Sequence, residues 1–414
     1  MRKQRWMKTA VLFLAVAAMA LMPGLSSRAG TVIHAKRETK SAVSDLRTSS
    51  DSFYFAVSGM YTYSQLQSDI ALLTQRYSGV SADSIGSTAD GRQLYRIVIG
   101  NPAAEKKILV VAAMHAREYI TTPLVMRQLK DLLDRRDSGD TSLESVCVQF
   151  VPMLDPDGVA ISQYALNGLQ TNAMKQKVNA IIQSWAEWGL LEDTNKYNWY
   201  LNKWKNNANG VDLNRNFPTP GWAPLKDLRD KPASDLYKGP SGGSELETQA
   251  IMKLVQSQKF SEVVNYHSQG QIIYWAHSKA GAEVREREHN MGRIASRLTG
   301  YGLVTPGSGA SEEGCSFKDW LDAEMNVPNI TLEVGLGTAP VPETQLETIW
   351  TQNRKLLPEL IAELLGRSTL LEEIKNEERA AKEQIEAGQS GSVQLNSAPA
   401  GKDSSVQLVA PRAE

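Results

Sequence analysis

Residues 107 to 133 constrain the fold more than any other stretch. Lys107-Ile-Leu-Val-Val-Ala-Ala-Met114 is short, rich in β-branched residues and free of Gly and Pro, so it reads as a buried strand. Thr121-Thr-Pro-Leu-Val-Met-Arg-Gln-Leu-Lys-Asp-Leu-Leu133 follows with helical spacing, Thr122 as N-cap and Pro123 at the first helical position. A strand running directly into a helix is the half-unit of a parallel α/β sheet. It leaves His115-Ala-Arg-Glu118 in the turn at the strand's carboxyl end, where open α/β sheets place their sites. A His and a Glu three residues apart can meet one metal ion. A catalytic zinc needs one further protein ligand and an open position.

The rest of the chain repeats the alternation. Strand-like runs occur at 81–85, 94–99, 146–154, 210–218, 260–267, 271–275 and 329–334. Helical periodicity marks 61–73, 244–255, 281–299 and 344–365, with Ser244 and Glu247 spaced as a capping box. Strands alternating with helices define an α/β class: a single three-layer domain over residues 58–367, with a mixed, mostly parallel central sheet flanked by helices. The 414 residues, 42% hydrophobic, are enough for such a core, and the net charge of -1 argues against nucleic acid as a partner.

The ends are of different character. Arg2, Lys3, Arg5 and Lys8 precede the apolar run Ala10 to Met22, and Ser27-Arg28-Ala29 places small residues at a cleavage position. Residues 1–29 therefore read as a secretory signal peptide, too short in its apolar part for a membrane span. Residues 30–57 are polar and aperiodic and read as a spacer. Residues 368–414 read as a charged helix, Leu370 to Ala387, then a flexible Ser, Gly, Ala and Pro tail. Only Cys147 and Cys315 are present, compatible with one disulfide or two free thiols. Trp185, Trp188, Trp199 and Trp204 mark an excursion over residues 167–206, either packed on the body or offered to ligand. His34 falls in the spacer, His277 could line a cleft, and His289 reads as a solvated helix residue.

Three polar features resist a structural explanation. His267 ends a second buried strand. Glu333 lies inside Ile-Thr-Leu-Glu-Val, where a lone carboxylate costs several kcal/mol unless it is paired or beside a cation. Asp212-Leu-Asn-Arg-Asn216 carries a permanently charged Arg215 whose planar fork suits a carboxylate.

The order His-x-x-Glu, Pro-Asp-Gly, Asp-x-Asn-Arg-Asn, Tyr-His-Ser and Thr-Leu-Glu resembles the zinc carboxypeptidase family across roughly residues 58 to 365. The resemblance implies one Zn2+ per chain on His115, Glu118 and His267, with Glu333 as general base and acid. It implies that Asn214 and Arg215 bind a substrate carboxylate and that Asp212 orients the first zinc histidine. Lys205, after Trp204, stands where the family has an Arg that polarises the scissile carbonyl. Two departures stand out. Asp155 replaces the usual Asn before Pro-Asp-Gly, and no Tyr lies nine residues before Asp319-Trp320, where the digestive enzymes carry a mobile one.

With the runs His115 to Leu124 and Pro152 to Val159, these departures look closest to the bacterial γ-D-glutamyl-meso-diaminopimelate peptidases. The substrate then expected is a peptidoglycan stem peptide, met outside the cell or in its envelope, with no stable membrane insertion once the signal is removed. An ordinary carboxypeptidase, a non-catalytic wall-peptide binder and a deacylase of N-acyl amino acids are the alternatives.

Overall fold

The computed structural model describes residues 52–56, 60–187, 197–225, 229–275, 280–304 and 314–386, all within one compact unit, Asp51–Glu414. The segments expected to be signal peptide and flexible tail lie outside the described residues, as do His34, His277 and most of the loop before Asp319.

Eight strands form one sheet: β1 (Ser81–Ser87), β2 (Gln93–Gly100), β3 (Lys106–Ala112), β4 (Val146–Val151), β5 (Glu262–His267), β6 (Ile272–Tyr274), β7 (Gly302–Leu303) and β8 (Asn329–Glu333). Their order is β1-β2-β4-β3-β5-β8-β6-β7. The central four, β4, β3, β5 and β8, are parallel; β1–β2, β2–β4 and β6–β8 pair antiparallel, and β6–β7 parallel. The expected mixed, mostly parallel sheet is therefore present. β3 has its successor β4 on one side and β5 on the other, so the sequence order reverses at β3. The crevice at the carboxyl ends of β3 and β5 is the topological switch point.

Side chains alternate between the two faces. Ile108, Val110, Val148, Phe150, Val264, Ile330 and Leu332 pack into one core with Leu124, Leu129, Met291, Ile294, Leu357 and Leu360 from helices. Leu109, Val111, Val151 and Val263 join the opposite core, with Ile251, Leu254, Phe217, Phe317 and Trp320. Burial on both faces explains why these strands read as continuous apolar runs rather than as alternation.

Local expectations failed where side chains took over backbone roles. The helix Thr121–Asp137 begins one residue before the expected cap, because the turn ahead of it already bends helically at Ile120. Thr122 instead donates from Oγ1 to the Pro152 carbonyl at 2.7 Å. The Ser244 cap is likewise not formed. The helix is Leu246–Gln256, and the Ser244 hydroxyl bonds Glu245 and Asn216. The stretch at 210–218 is not a strand. Asp212 accepts the Asn214 N–H and closes a 3-10 turn, Leu213–Arg215. The closing helix is two, Leu346–Asn353 and Leu356–Leu364, because Pro358 cannot donate to the carbonyl of Arg354.

The body also starts earlier than residue 58. Phe53 and Phe55 are buried in the main core, and Asp69 accepts the N–H groups of Tyr54 and Phe55 at 2.8 and 3.0 Å. Two aromatics in a polar stretch are too few to show periodicity. Trp185 and Trp204 sit in a separate apolar cluster with Val178, Ile182 and Leu201, so they fasten the excursion to the body. Cys147 and Cys315 are both free and buried. His289 is only partly solvated: it is half-buried and stacks on Trp275 at 4.3 Å, and burial with Arg293 beside it lowers its pKa. The charged helix Leu370–Glu386 packs on Ala282–Thr299 through the ion pairs Arg293–Glu378 and Arg297–Glu377. No described helix is long and apolar enough to cross a membrane.

Candidate active site

The parallel register delivers three functional side chains to one edge of the sheet. Ala112 pairs with Tyr266 and His267 with Glu333, so the chain leaves β3, β5 and β8 side by side. After β3 the backbone turns sharply at Ala113, a non-glycine residue at φ 47. Thr121 holds that turn: its hydroxyl accepts the Ala113 N–H at 2.9 Å and donates to the Glu118 carbonyl at 2.8 Å. Ala116 donates to the Lys205 carbonyl at 2.9 Å, tying the turn to the excursion.

His115, Glu118 and His267 converge as buried residues, each with a ligand atom within 4.8 Å of the others. His115 Nδ1 lies 2.8 Å from Glu118 Oε1, and His267 Nδ1 lies 2.9 Å from Glu118 Oε2. The two Nδ1 atoms are only 3.0 Å apart. The outward nitrogens have partners of their own. His115 Nε2 is 3.2 Å from Asp212 Oδ1, and His267 Nε2 is 2.8 Å from the Asn265 side-chain amide. The Asn265 oxygen has no partner as placed, so turning the amide over lets it accept the Nε2–H. With both Nε2 atoms protonated, two imidazole lone pairs and a carboxylate face one point. Only a cation satisfies that arrangement. Two imidazole nitrogens and a carboxylate form a zinc donor set. Among the described residues this is the one such group.

Charge follows the same logic. Burial would push His115 down, but Glu118 and Asp212 more than reverse it. Burial would push Glu118 up, yet the two histidines hold it well below the usual carboxylate range. Asp212 is also held low against burial, by Lys205 and His115. Glu333 differs. Burial dominates, and although His267, Lys205 and Arg117 pull it down, Glu118 pushes the same way as burial, leaving it at about 7.

Lys205 extends Nζ to Asp212 Oδ2 at 2.7 Å, and Arg215 Nε lies 3.7 Å from the same oxygen. Asn214 turns its oxygen to the N–H of Phe317 at 3.0 Å, which leaves its amide nitrogen able to donate elsewhere. His115, Glu118 and His267 thus form one centre, Asp212 meets it through His115, Lys205, Arg215 and the Asn214 backbone N–H reach Asp212, and Glu333 stands in register with His267. Tyr301, the nearest tyrosine upstream of the loop before Asp319, lies away from this centre: it is buried, with its hydroxyl on Gln352 and Asn353. Two neighbours were missed. Asn265 shares a strand face with His267, two residues on, and was legible from that spacing. Arg117 acts on Glu333 across the fold, which no local pattern reveals.

A parallel-centred α/β sheet with a His-Glu-His centre at its switch point and a half-buried acid held near neutrality beside it defines a metallohydrolase. The zinc carboxypeptidase family profile matches residues 66–356, and the chain belongs to that family, whose hydrolases use zinc. It is 31% identical over 305 residues to gamma-D-glutamyl-L-diamino acid endopeptidase 1 of Lysinibacillus sphaericus, covering 70% of each chain. It is 26% identical over 314 residues to an uncharacterized protein of Bacillus subtilis, covering 72% of this chain and 76% of that one. The solved structure of thrombin activatable fibrinolysis inhibitor (TAFI) superposes with a TM-score of 0.57 at 16% identity over 77% of each chain, a likeness of fold.

Proposed function

We propose that this peptidase is exported and hydrolyses the γ-D-glutamyl–diaminopimelate bond of bacterial cell-wall peptides. The observation that carries the substrate is the likeness to an endopeptidase of that bond type over 70% of both chains. Export rests on the basic start, apolar run and small-residue cleavage position of residues 1–29.

His115, Glu118 and His267 hold the metal. When bound, zinc supplies a Lewis acid and lowers the pKa of a coordinated water to roughly 7. Asp212 and Asn265 fix the two imidazoles with Nδ1 inward. Glu333 takes a proton from the attacking water as the oxygen adds to the scissile carbonyl carbon. It then delivers that proton to the amine nitrogen as the C–N bond breaks. Lys205 places a positive charge beside the carbonyl oxygen as that oxygen becomes negative. Arg215, with the Asn214 amide nitrogen, binds a carboxylate of the substrate, and a diaminopimelate-containing peptide offers several.

Digestion of a defined stem peptide beside a plain peptide, with products read by mass spectrometry, tests this. Cleavage between γ-D-Glu and diaminopimelate alone is expected. Release of free C-terminal amino acids from the plain peptide only would overturn the substrate and leave the peptidase class intact.

A further inference from the structure

A cavity of about 440 Å³ lies between the helices Tyr63–Arg76 and Pro156–Tyr164, apart from the metal centre. Tyr63, Gln67, Gln93, Gln163, Tyr164 and Asn167 line it. Its one charged lining residue, Arg92, is already committed. Arg92 Nη1 donates to Asp90 at 2.9 Å and to Asp157 at 2.7 Å, and Nη2 donates to the Gly168 carbonyl at 2.5 Å. No cation is left over for a phosphate or a carboxylate, and no apolar floor exists for a hydrophobic side chain.

What remains is neutral hydrogen bonding beside aromatic rings. Tyr164 is half exposed at the end of its helix, and no hydrogen bond to its hydroxyl forms among the described residues. The chain bends away after it at Ala165, a non-glycine residue at φ 55. Gln67 uses its amide nitrogen on the Tyr95 hydroxyl and Gln163 uses its own on the Tyr61 carbonyl, so each has its side-chain oxygen in hand. Asn167 adds a further amide. The Tyr63 ring is taken by Tyr95 and Arg92, so neutral donors and acceptors next to the half-exposed Tyr164 ring are what suit a sugar, whose C–H face covers that ring while its hydroxyls meet the amides. The volume is in the range of small-ligand sites.

The pocket is within reach of the catalytic centre. The helix Pro156–Tyr164 packs on the turn Ala116–Glu118, and Tyr164 is an electrostatic neighbour of Tyr119, the residue after Glu118. We propose that this cavity binds the saccharide joined to the peptide substrate, so that the enzyme prefers glycan-linked stem peptides to free ones. The inference rests on the cell-wall reading for the peptide half of the ligand.

The test compares the zinc-loaded full chain with its Tyr164→Ala and Asn167→Ala variants on one stem peptide, free or carrying its amino-sugar disaccharide. Wild type should show a KM about five-fold lower for the glycan-linked form, and both variants should lose that preference with kcat on the free peptide unchanged. Equal KM values in wild type overturn the pocket while the peptidase reading stands. If neither peptide is cut, the peptidase substrate is wrong and direct titration with a β-1,4-linked N-acetylglucosamine disaccharide decides the pocket. Binding that Tyr164→Ala weakens supports a saccharide site, and no binding at millimolar concentration overturns it.

Discussion

The two ends of β8 hold acid groups in opposite conditions, Glu288 buried against its start and Glu333 half-buried at its end. At its start, Asn329 sits in a closed network. Glu288 Oε1 accepts both its backbone and side-chain N–H groups at 3.1 and 2.9 Å, Asp322 accepts its amide at 2.5 Å, and Lys318 caps Asp322 at 2.9 Å. At its end, no hydrogen bond to the Glu333 carboxylate forms among the described residues, although burial and Glu118 press on it. The first end locks β8 to the helix Ala282–Thr299. The second leaves a carboxylate able to exchange its proton. Four positions along the strand separate a structural acid cluster from a chemical one, and what separates them is whether protein partners or the open site face the carboxylate.

The largest expected effect is at the open end. Glu333→Gln keeps the shape and removes the base, so kcat should fall by about 10² to 10⁴ while zinc content by elemental analysis stays at one per chain. Turnover close to wild type would end the comparison, since Glu333 would then be no more chemical than Glu288. In the wild type, Glu333 must be ionised to accept a proton, so kcat/KM should rise with pH up to about 7 and then level. The bound cation moves that limb lower, never higher. Next in size, Asp212→Asn removes the acceptor that fixes His115. Zinc affinity, measured by competition with a chelator, should weaken by about 10- to 100-fold. Unchanged affinity would mean that Glu118 and the turn alone orient His115.

The smallest effect is at the closed end. Burial first, then the charge and hydrogen bond of Asp322, push Glu288 up to about 10 from an ordinary 4.5. The folded chain thus keeps a proton that the unfolded chain releases near 4.5. This group's share of stability is whole below 4.5 and is lost as pH rises toward 10. Glu288→Gln preserves the oxygen facing Asn329 and offers N–H to Asp322. Its Tm should match wild type at pH 5 and exceed it by a few degrees at pH 9, read by thermal denaturation. A gap at pH 5 equal to that at pH 9 would show that no proton is held there.

Much of the site was legible because a parallel sheet turns sequence position into spatial position. A buried apolar run has a definite carboxyl end, and His115 and His267 stand at or just past theirs. Glu333 was conspicuous because an acid inside an apolar strand demands a reason. The failures were also physical. Asp212 read as part of a strand, but its carboxylate captured the Asn214 N–H and made a turn. Phe53 and Phe55 read as spacer because a core contact made by two residues has no period.

The sequence by itself determined the α/β class, the family and the ligating residue types, since these depend on patterns local to each segment. Only the tertiary structure decided that Asp212 would serve His115 and Lys205 at once, and that Asn265 would complete His267. It alone left Glu333 without a hydrogen bond among the described residues while Glu288 Oε1 took two from Asn329. Those outcomes depend on which atoms meet within about 3 Å across long stretches of chain, and hydrogen bonding at that range is set by packing rather than by spacing along the chain.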